Sequence, residues 1–66
     1  MKNRLRVARA EMKMTQQQLA DAAGVSRQTV NAIESGKFVP STLLALKMAR
    51  TFGKPVEELF QLEEED

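Results

Sequence analysis

Side chains able to pair with planar hydrogen-bonding groups lie close together near the middle of the chain. Arg27, Gln28 and Asn31 fall within five consecutive positions. An arginine can bond to guanine O6 and N7 in the major groove of duplex DNA, and a carboxamide can bond to adenine in the same bidentate way. The chain has no cysteine and no histidine, which excludes Ser–His and Cys–His nucleophile pairs and zinc sites built from those ligands. We therefore expect recognition by hydrogen bonds, with no enzyme activity, metal or cofactor.

Glycine and proline positions indicate how the chain could hold those side chains. Gly24, Gly36 and Gly53 each follow a helix-like run, where a left-handed residue commonly ends a helix. Pro40 and Pro55 each precede a new run, where a missing N–H costs least. The pattern predicts an all-α fold, apart from a few extended residues at the termini, with five helices: Asn3–Met12, Gln16–Ala23, Arg27–Ser35, a fourth from after Ser41 to Phe52, and Val56–Phe60. In the fourth helix, either of two apolar rows could face inward: Leu44, Met48 and Phe52, or Leu43, Leu46 and Ala49.

The starts of the second and third predicted helices are strongly encoded. Thr15 can cap the second helix, with Gln18 completing a capping box, and Ser26 can cap the third. Between them, Gly24 can adopt the positive φ of a tight turn, and Ala20 is small enough for two backbones to approach. Two such helices cross steeply when apolar residues lock them together; the candidates are Leu19, Val25, Val30 and Ile33. The spacing predicts a helix-turn-helix over residues 16–35.

One face of the predicted third helix is polar. At 100° per residue, Val30 and Ile33 define its buried side. Gln28 then points almost directly away from the core, and Asn31 flanks this outward stripe. We assign Asn31 a base-reading role on that geometry.

Several runs of residues along the chain follow one known pattern. The runs are Thr15–Ala20, Gly24–Val30, Ile33–Lys37, Pro40–Ser41, Leu44–Ala49, Phe52–Gly53 and Glu58–Phe60. Together they resemble the phage-repressor, Cro-like (XRE) helix-turn-helix family, and the likeness covers nearly the whole chain. The resemblance implies a five-helix, lambda-repressor-like DNA-binding domain that spans residues 1–66 and stands alone, with no attached sensor. It also implies a sequence-specific regulator of transcription that binds double-stranded DNA.

The resemblance further implies which side chains meet DNA. The family reads base edges with the N-terminal part of the third helix, which assigns Arg27, Gln28 and Ala32 to this role. Arg27 could instead contact phosphate or pair with Asp21, and the Ala32 methyl could touch only a thymine methyl or leave a gap. The expected phosphate contacts are Gln16, Thr29, Lys37 and Ser41, with Arg9 and Lys13 flanking the groove. Ser41 could act only as a helix cap, and Glu34 is expected to pair with Arg9 rather than to meet DNA.

The two parts of the chain differ in charge. Residues 1–37 carry seven Lys or Arg against three acids, a balance of +4, and residues 38–66 carry three against six, a balance of −3. This asymmetry suits one side that faces a polyanion and another that faces away, although a chance imbalance on a solvated surface would look the same. No stretch approaches the roughly 20 apolar residues of a membrane span, and none resembles a signal peptide. We therefore expect a cytoplasmic protein without a membrane or small-molecule partner.

The small size of the chain favours association with a second copy. A domain of 66 residues buries only about 60% of the surface that its unfolded chain exposes, and disulfides, metals or partner subunits commonly reinforce such domains. One short helix and its tail cannot turn every apolar residue of the C-terminal segment inward. We therefore predict a homodimer joined through a segment at about 55–63, with interface residues Val56, Leu59, Phe60 and Leu62. The resemblance also implies a brief strand at Gln61–Glu63 against the N-terminal residues.

Three hypotheses for the function follow. The first is a homodimeric repressor, or an activator, that binds a palindromic operator. The alternative is an antitoxin-type regulator that binds a partner toxin as well as DNA, but such proteins usually carry a long extra segment, and only four acids follow Leu62. The third is an adaptor that has lost DNA contact, which predicts an acidic or apolar outward face on the third helix in place of Arg27, Gln28 and Asn31.

Overall fold

The computed structural model describes all residues from 1 to 66 as five helices and two short strands. The helices are α1 (Leu5–Glu11), α2 (Gln16–Ala23), α3 (Arg27–Glu34), α4 (Thr42–Phe52) and α5 (Val56–Leu59). The strands are β1 (Lys2–Asn3) and β2 (Phe60–Gln61), which pair antiparallel with Lys2 opposite Gln61 and Asn3 opposite Phe60. The predicted five-helix fold with a brief terminal pairing is confirmed. None of the helices has the length and apolar character needed to cross a lipid bilayer.

The terminal pairing corrects two predicted helix boundaries and the predicted strand. Asn3, expected to start the first helix, lies in β1, and its side-chain oxygen accepts a hydrogen bond from Leu5 N at 3.2 Å, where α1 begins. Phe60, expected to end the fifth helix, has the extended φ of −128° and lies in β2. The strand is therefore Phe60–Gln61 rather than Gln61–Glu63. Arg4 N donates to Leu59 O at 2.8 Å, so the two ends of the chain are joined beside the first turn of α1.

Three helices begin at the capping residues that the sequence supplies. The capping box of α2 is complete: Gln18 N donates to Thr15 Oγ1 at 3.0 Å, and Thr15 N donates to Gln18 Oε1 at 2.8 Å. Ser26 Oγ accepts from Thr29 N at the start of α3, and Ser41 Oγ accepts from the backbone N–H of Leu44 at the start of α4. These bonds satisfy backbone donors that would otherwise have no partner at a helix start.

The core is one cluster to which every helix contributes. Its twelve buried apolar residues are Leu5, Ala8, Leu19, Ala20, Ala23, Val30, Ile33, Met48, Ala49, Phe52, Leu59 and Phe60. In α4 the inward row is Leu44, Met48 and Phe52, with Ala49 beside it, whereas Leu43 and Leu46 face solvent. α2 packs against both α3 and α4, so α2 joins the helix-turn-helix to α4. The outer face of α4 remains apolar.

Gly24 closes α2 with a φ of +73°. Gly24→Val should lower the free energy of unfolding by about 1–2 kcal/mol, because an L-residue with a Cβ is penalised by that amount in the left-handed region. No atom lies within 4 Å of the position that a Cβ would take, so the loss comes from the backbone alone. Ala22→Val, on the exposed side of α2, is the matched control and should lose about 0.7 kcal/mol or less. Urea denaturation measures both variants, and equal losses would contradict this account of the turn.

Candidate nucleic-acid interface

The turn between α2 and α3 fixes the direction in which α3 faces outward. Val25 N donates to Ala20 O at 3.0 Å across the end of α2, and Val25 packs against the core. Ala20 and Val30 are fully buried where the two helices meet. Because Val30 and Ile33 both face inward, the opposite side of α3 is turned to solvent.

The outward side of α3 carries three of the four predicted base-reading side chains. Arg27, Gln28 and Asn31 are exposed, and Ala32 is half-buried. Arg27 forms no ion pair with Asp21, whose carboxylate instead accepts a hydrogen bond from Gln17 Nε2 at 2.9 Å. The Arg27 guanidinium and the Gln28 amide are both exposed to solvent and available to a ligand.

Arg9 of α1 and Glu34 of α3 form a bidentate ion pair beneath this surface. Arg9 Nε donates to Glu34 Oε2 at 2.6 Å, and Arg9 Nη2 donates to Glu34 Oε1 at 2.9 Å. Arg9 Nη1 also donates to Met14 O at 2.9 Å. The side chain of Glu34 has no exposed surface. The expected pair is present, and the Arg9 guanidinium makes all of these bonds within the protein; its predicted place at the flank of the DNA groove stays a prediction.

The side-chain amide of Gln16 bridges the ion pair to the outward face. Gln16 Nε2 lies 3.2 Å from Glu34 Oε1 and 3.3 Å from Asn31 Oδ1, and it donates to both. Both protons of this nitrogen are therefore directed at side chains of α3. A phosphate at the start of α2 would meet the free backbone N–H groups of the first turn rather than the amide of Gln16.

The environment of Glu34 keeps its carboxyl group ionised. Burial by itself would raise the pKa of this group, but hydrogen bonds from Arg9 and Gln16 and the positive charges of Arg9 and Arg6 outweigh it. The pKa of Glu34 consequently lies below its ordinary value. Since an ionised carboxylate only accepts hydrogen bonds, Arg9 and Gln16 must present N–H groups to it.

The remaining predicted phosphate contacts lie in different settings. Lys37, immediately beyond α3, is exposed, and so is Lys13, which adopts a positive φ of 53° after α1. Thr29 is half-buried, with its hydroxyl 3.0 Å from that of Ser26. Ser41 caps α4. The two lysines can reach a phosphate without giving up a bond inside the protein.

The predicted dimer segment is only partly available at the surface. Leu59 is 1% exposed and Phe60 is 9% exposed, because the β1–β2 pairing turns most of both side chains into the core and leaves little of either for an interface. Val56 is half-buried, and Leu62 is 76% exposed.

Sequence reasoning missed a second set of apolar residues at the surface. Val39, Leu43 and Leu46 are all more than half exposed and lie at or near the start of α4. Together with Val56 and Leu62, we call them the apolar face. The second apolar row of α4 could have predicted these surface residues, because the two rows of one helix cannot both face the core.

The Arg9–Glu34 pair should contribute far more to the free energy of unfolding than the neighbouring Arg6–Glu34 contact. Arg9→Ala should lower the free energy of unfolding by about 3 kcal/mol, because it leaves a buried carboxylate without its main partner. Arg6 is 73% exposed and 3.6 Å from the same carboxylate. Arg6→Ala is therefore the matched control, and its loss should stay below about 1 kcal/mol.

The effect of Arg9→Ala should also depend on pH. Because the folded pKa of Glu34 lies below the ordinary value of 4.5, the pair stabilises fully above that pH and loses its contribution as the pH falls through the folded pKa. Urea denaturation at neutral pH and at about pH 3 should show the gap between wild type and Arg9→Ala shrinking in acid. A gap that is the same at both pH values would contradict this assignment.

Comparison with known proteins agrees with the geometry of α2 and α3. The profile of the Helix-turn-helix family (HTH_3) matches residues 5–59. An uncharacterized HTH-type transcriptional regulator of Bacillus subtilis (strain 168), YgzD, is 48% identical over 66 residues, which cover all of both chains. A second one, MJ0272 of Methanocaldococcus jannaschii, is also 48% identical over the whole of both chains.

Solved structures share the fold. The restriction-modification controller protein C.AhdI of Aeromonas hydrophila superposes with a TM-score of 0.79 at 32% identity, over 85% of each chain. The clp gene regulator ClgR of Corynebacterium glutamicum gives 0.77 at 30% identity, over 82% of this chain and 57% of that one. The chain belongs to the helix-turn-helix family and is a DNA-binding transcriptional regulator of the XRE type, not an enzyme.

Proposed function

We propose that this regulator is a repressor that binds a palindromic operator as a homodimer, with α3 lying in the major groove. The observation that carries the proposal is the outward face of α3, where Arg27 and Gln28 are exposed side by side above the buried Val30 and Ile33. Arginine matches the two acceptors of guanine, and glutamine matches the donor and acceptor of adenine. A rigid helix held on a packed core presents both groups without prior rearrangement.

Phosphate contacts on both sides of α3 would fix the register of the domain on the duplex. Lys37 lies just beyond the end of the helix, and Lys13 lies before α2, whose first N–H groups also favour an anion. The net charge of +4 on residues 1–37 supports the same orientation, with residues 38–66 and their charge of −3 turned away from DNA. Such phosphate contacts give affinity for DNA of any sequence, whereas the side chains of α3 would supply the preference for particular bases.

Two lines of reasoning support a second copy of this chain as the occupant of the apolar face. One recognition helix reads only a few base pairs, whereas a two-fold dimer places two of them about 34–36 Å apart, on half-sites about 10 base pairs centre to centre. Val39, Leu46 and Val56 also line one shallow groove together with Phe60. This groove joins the start of α4 to the predicted C-terminal segment in one continuous surface.

Two basic residues border the apolar face. Lys47 and Arg50 border Leu43 and Leu46, and neither base forms an ion pair within the chain. The same C-terminal part of the chain carries six acids. A second copy can thus offer carboxylates to these bases while it covers the leucines, and the two-fold arrangement repeats the contact.

A bound dimer of this kind would act by occupying its operator and excluding other proteins from it. The protein would act in the cytoplasm, where the DNA is accessible. The antitoxin alternative finds no support in the comparisons: the relatives described above are named as transcriptional regulators. The adaptor alternative predicted an acidic or apolar face on α3, where Arg27, Gln28 and Asn31 lie instead.

Phosphate and base contacts should separate cleanly in binding measurements. Lys37→Ala should weaken binding to all duplexes about equally and reduce the slope of log K against log salt by about 1. Gln28→Ala should instead relax the preference at one base-pair position per half-site, at a cost of about 1–3 kcal/mol there. Lys54→Ala, which removes a lysine paired with Glu11 outside this face, is the matched control and should change neither quantity. An unaltered sequence preference in Gln28→Ala would refute the proposed orientation of α3.

The dimer should depend on the outer face of α4. Leu43 is 65% exposed, so Leu43→Glu should leave the fold intact while placing a charge in the proposed interface, which yields a monomer and lowers operator affinity. Val7→Glu changes an exposed valine of α1 outside the apolar face and should sediment as wild type does. Sedimentation at micromolar concentration is the measurement, and a wild-type protein that runs only as a 7.4 kDa species would overturn the dimer.

A further inference from the structure

The link between Gln16 and Asn31 fixes the direction of one predicted base-reading amide. Glu34 is an ionised carboxylate enclosed by Arg9 and Gln16, so the atom of Gln16 that faces it at 3.2 Å must be the nitrogen Nε2. The same nitrogen lies 3.3 Å from the amide of Asn31. Because Nε2 only donates, the atom of Asn31 that faces it must be the oxygen Oδ1.

The consequence appears on the outer surface of α3. Because Oδ1 of Asn31 is turned toward Gln16, its nitrogen Nδ2 makes no hydrogen bond inside the protein and remains available as a donor. Asn31 is exposed and lies three residues beyond Gln28, on the same side of the helix. An asparagine with a free amide could flip and offer either atom to a base. Here a flip would bring Nδ2 against a nitrogen donor and lose the bond to Gln16.

We propose that the Glu34–Gln16–Asn31 chain locks Asn31 with Nδ2 toward the major groove, so that it reads the N7 acceptor of a purine. This inference rests on the proposed function, since it needs α3 in the groove. Both purines offer N7, whereas cytosine offers only the N4 donor at its edge. Thymine offers the O4 acceptor, so selection of thymine at the position that Asn31 reads would refute the reading of N7. Gln16 is then a positioning residue. It determines which base Asn31 can bind, but it does not contact that base itself.

The test begins with an operator selected from random duplexes by the wild-type protein. Asn31→Ala identifies the base-pair position that Asn31 reads, as the position where its preference relaxes. A 7-deazapurine at that position removes only the N7 acceptor. It should weaken wild-type binding by about tenfold and should cost Asn31→Ala nothing further.

Gln16→Met tests the lock itself. It keeps the length of the side chain but cannot donate to Asn31, so the amide becomes free to flip and cytosine should become tolerated at that position. Discrimination against cytosine should fall by about fivefold or more, while the preference at the Gln28 position stays unchanged. Gln17→Met, which removes an amide of the same helix that bonds only to Asp21, should leave both preferences as in wild type.

The outcomes distinguish failure of the proposed reading by Asn31 from failure of the proposed function, sequence-specific binding to DNA. If the wild-type protein selects no duplex sequence, the proposed function itself fails. If it selects an operator but no position depends on Asn31, or the 7-deazapurine duplex binds as tightly as its parent, only the reading by Asn31 is refuted. If Gln16→Met keeps full discrimination against cytosine, the lock is refuted. Asn31 is exposed, so Asn31→Ala should fold and identify the position, and the 7-deazapurine experiment then remains decisive for the reading by Asn31 even if Gln16→Met is unstable.

Discussion

The carboxylate of Glu34 is the point at which the first three helices of this domain meet. Arg9 reaches it from α1 with two hydrogen bonds, and Gln16 reaches it from α2 with a third. Three donors compensate the cost of enclosing an ionised group with no exposed side-chain surface. The residues of this junction lie 18 and 25 positions apart from Glu34 in the chain, so the contact forms only when α1, α2 and α3 have reached their final arrangement. It thereby couples the packed interior to the side of α3 that we propose to meet DNA.

Much of this arrangement could be predicted because it is encoded by neighbouring residues. The capping box of Thr15 and Gln18, the serine cap of α3 and the positive φ of Gly24 each depend on a few adjacent positions, and each was found as expected. The polar face of α3 followed from the angular spacing around Val30 and Ile33. The Arg9–Glu34 pair was expected by resemblance, and its presence shows that the acid at the end of α3 serves the fold.

The errors arose where distant parts of the chain decide the outcome. Leu59 and Phe60 were expected at the surface because a short helix cannot bury every apolar residue, but pairing of the two termini buries most of both side chains. That pairing joins residues at opposite ends of the sequence, which local patterns do not reveal. The same limitation hid the outer row of α4, since either apolar row satisfies a helical spacing, and packing of α2 against α4 selects the row that is buried. The bond from Gln16 to Asn31 likewise joins side chains 15 positions apart.

We propose that DNA meets this protein through the outward face of α3, which the Glu34 junction holds in place. Backbone amide shifts recorded by NMR during titration with a selected operator duplex test it most directly, since they report the contact surface without any substitution. The largest changes should lie at the start of α2, along Arg27–Ala32 and at Lys37, with small changes in the acidic tail. Changes concentrated in α4 and the tail, with α3 unaffected, would contradict it.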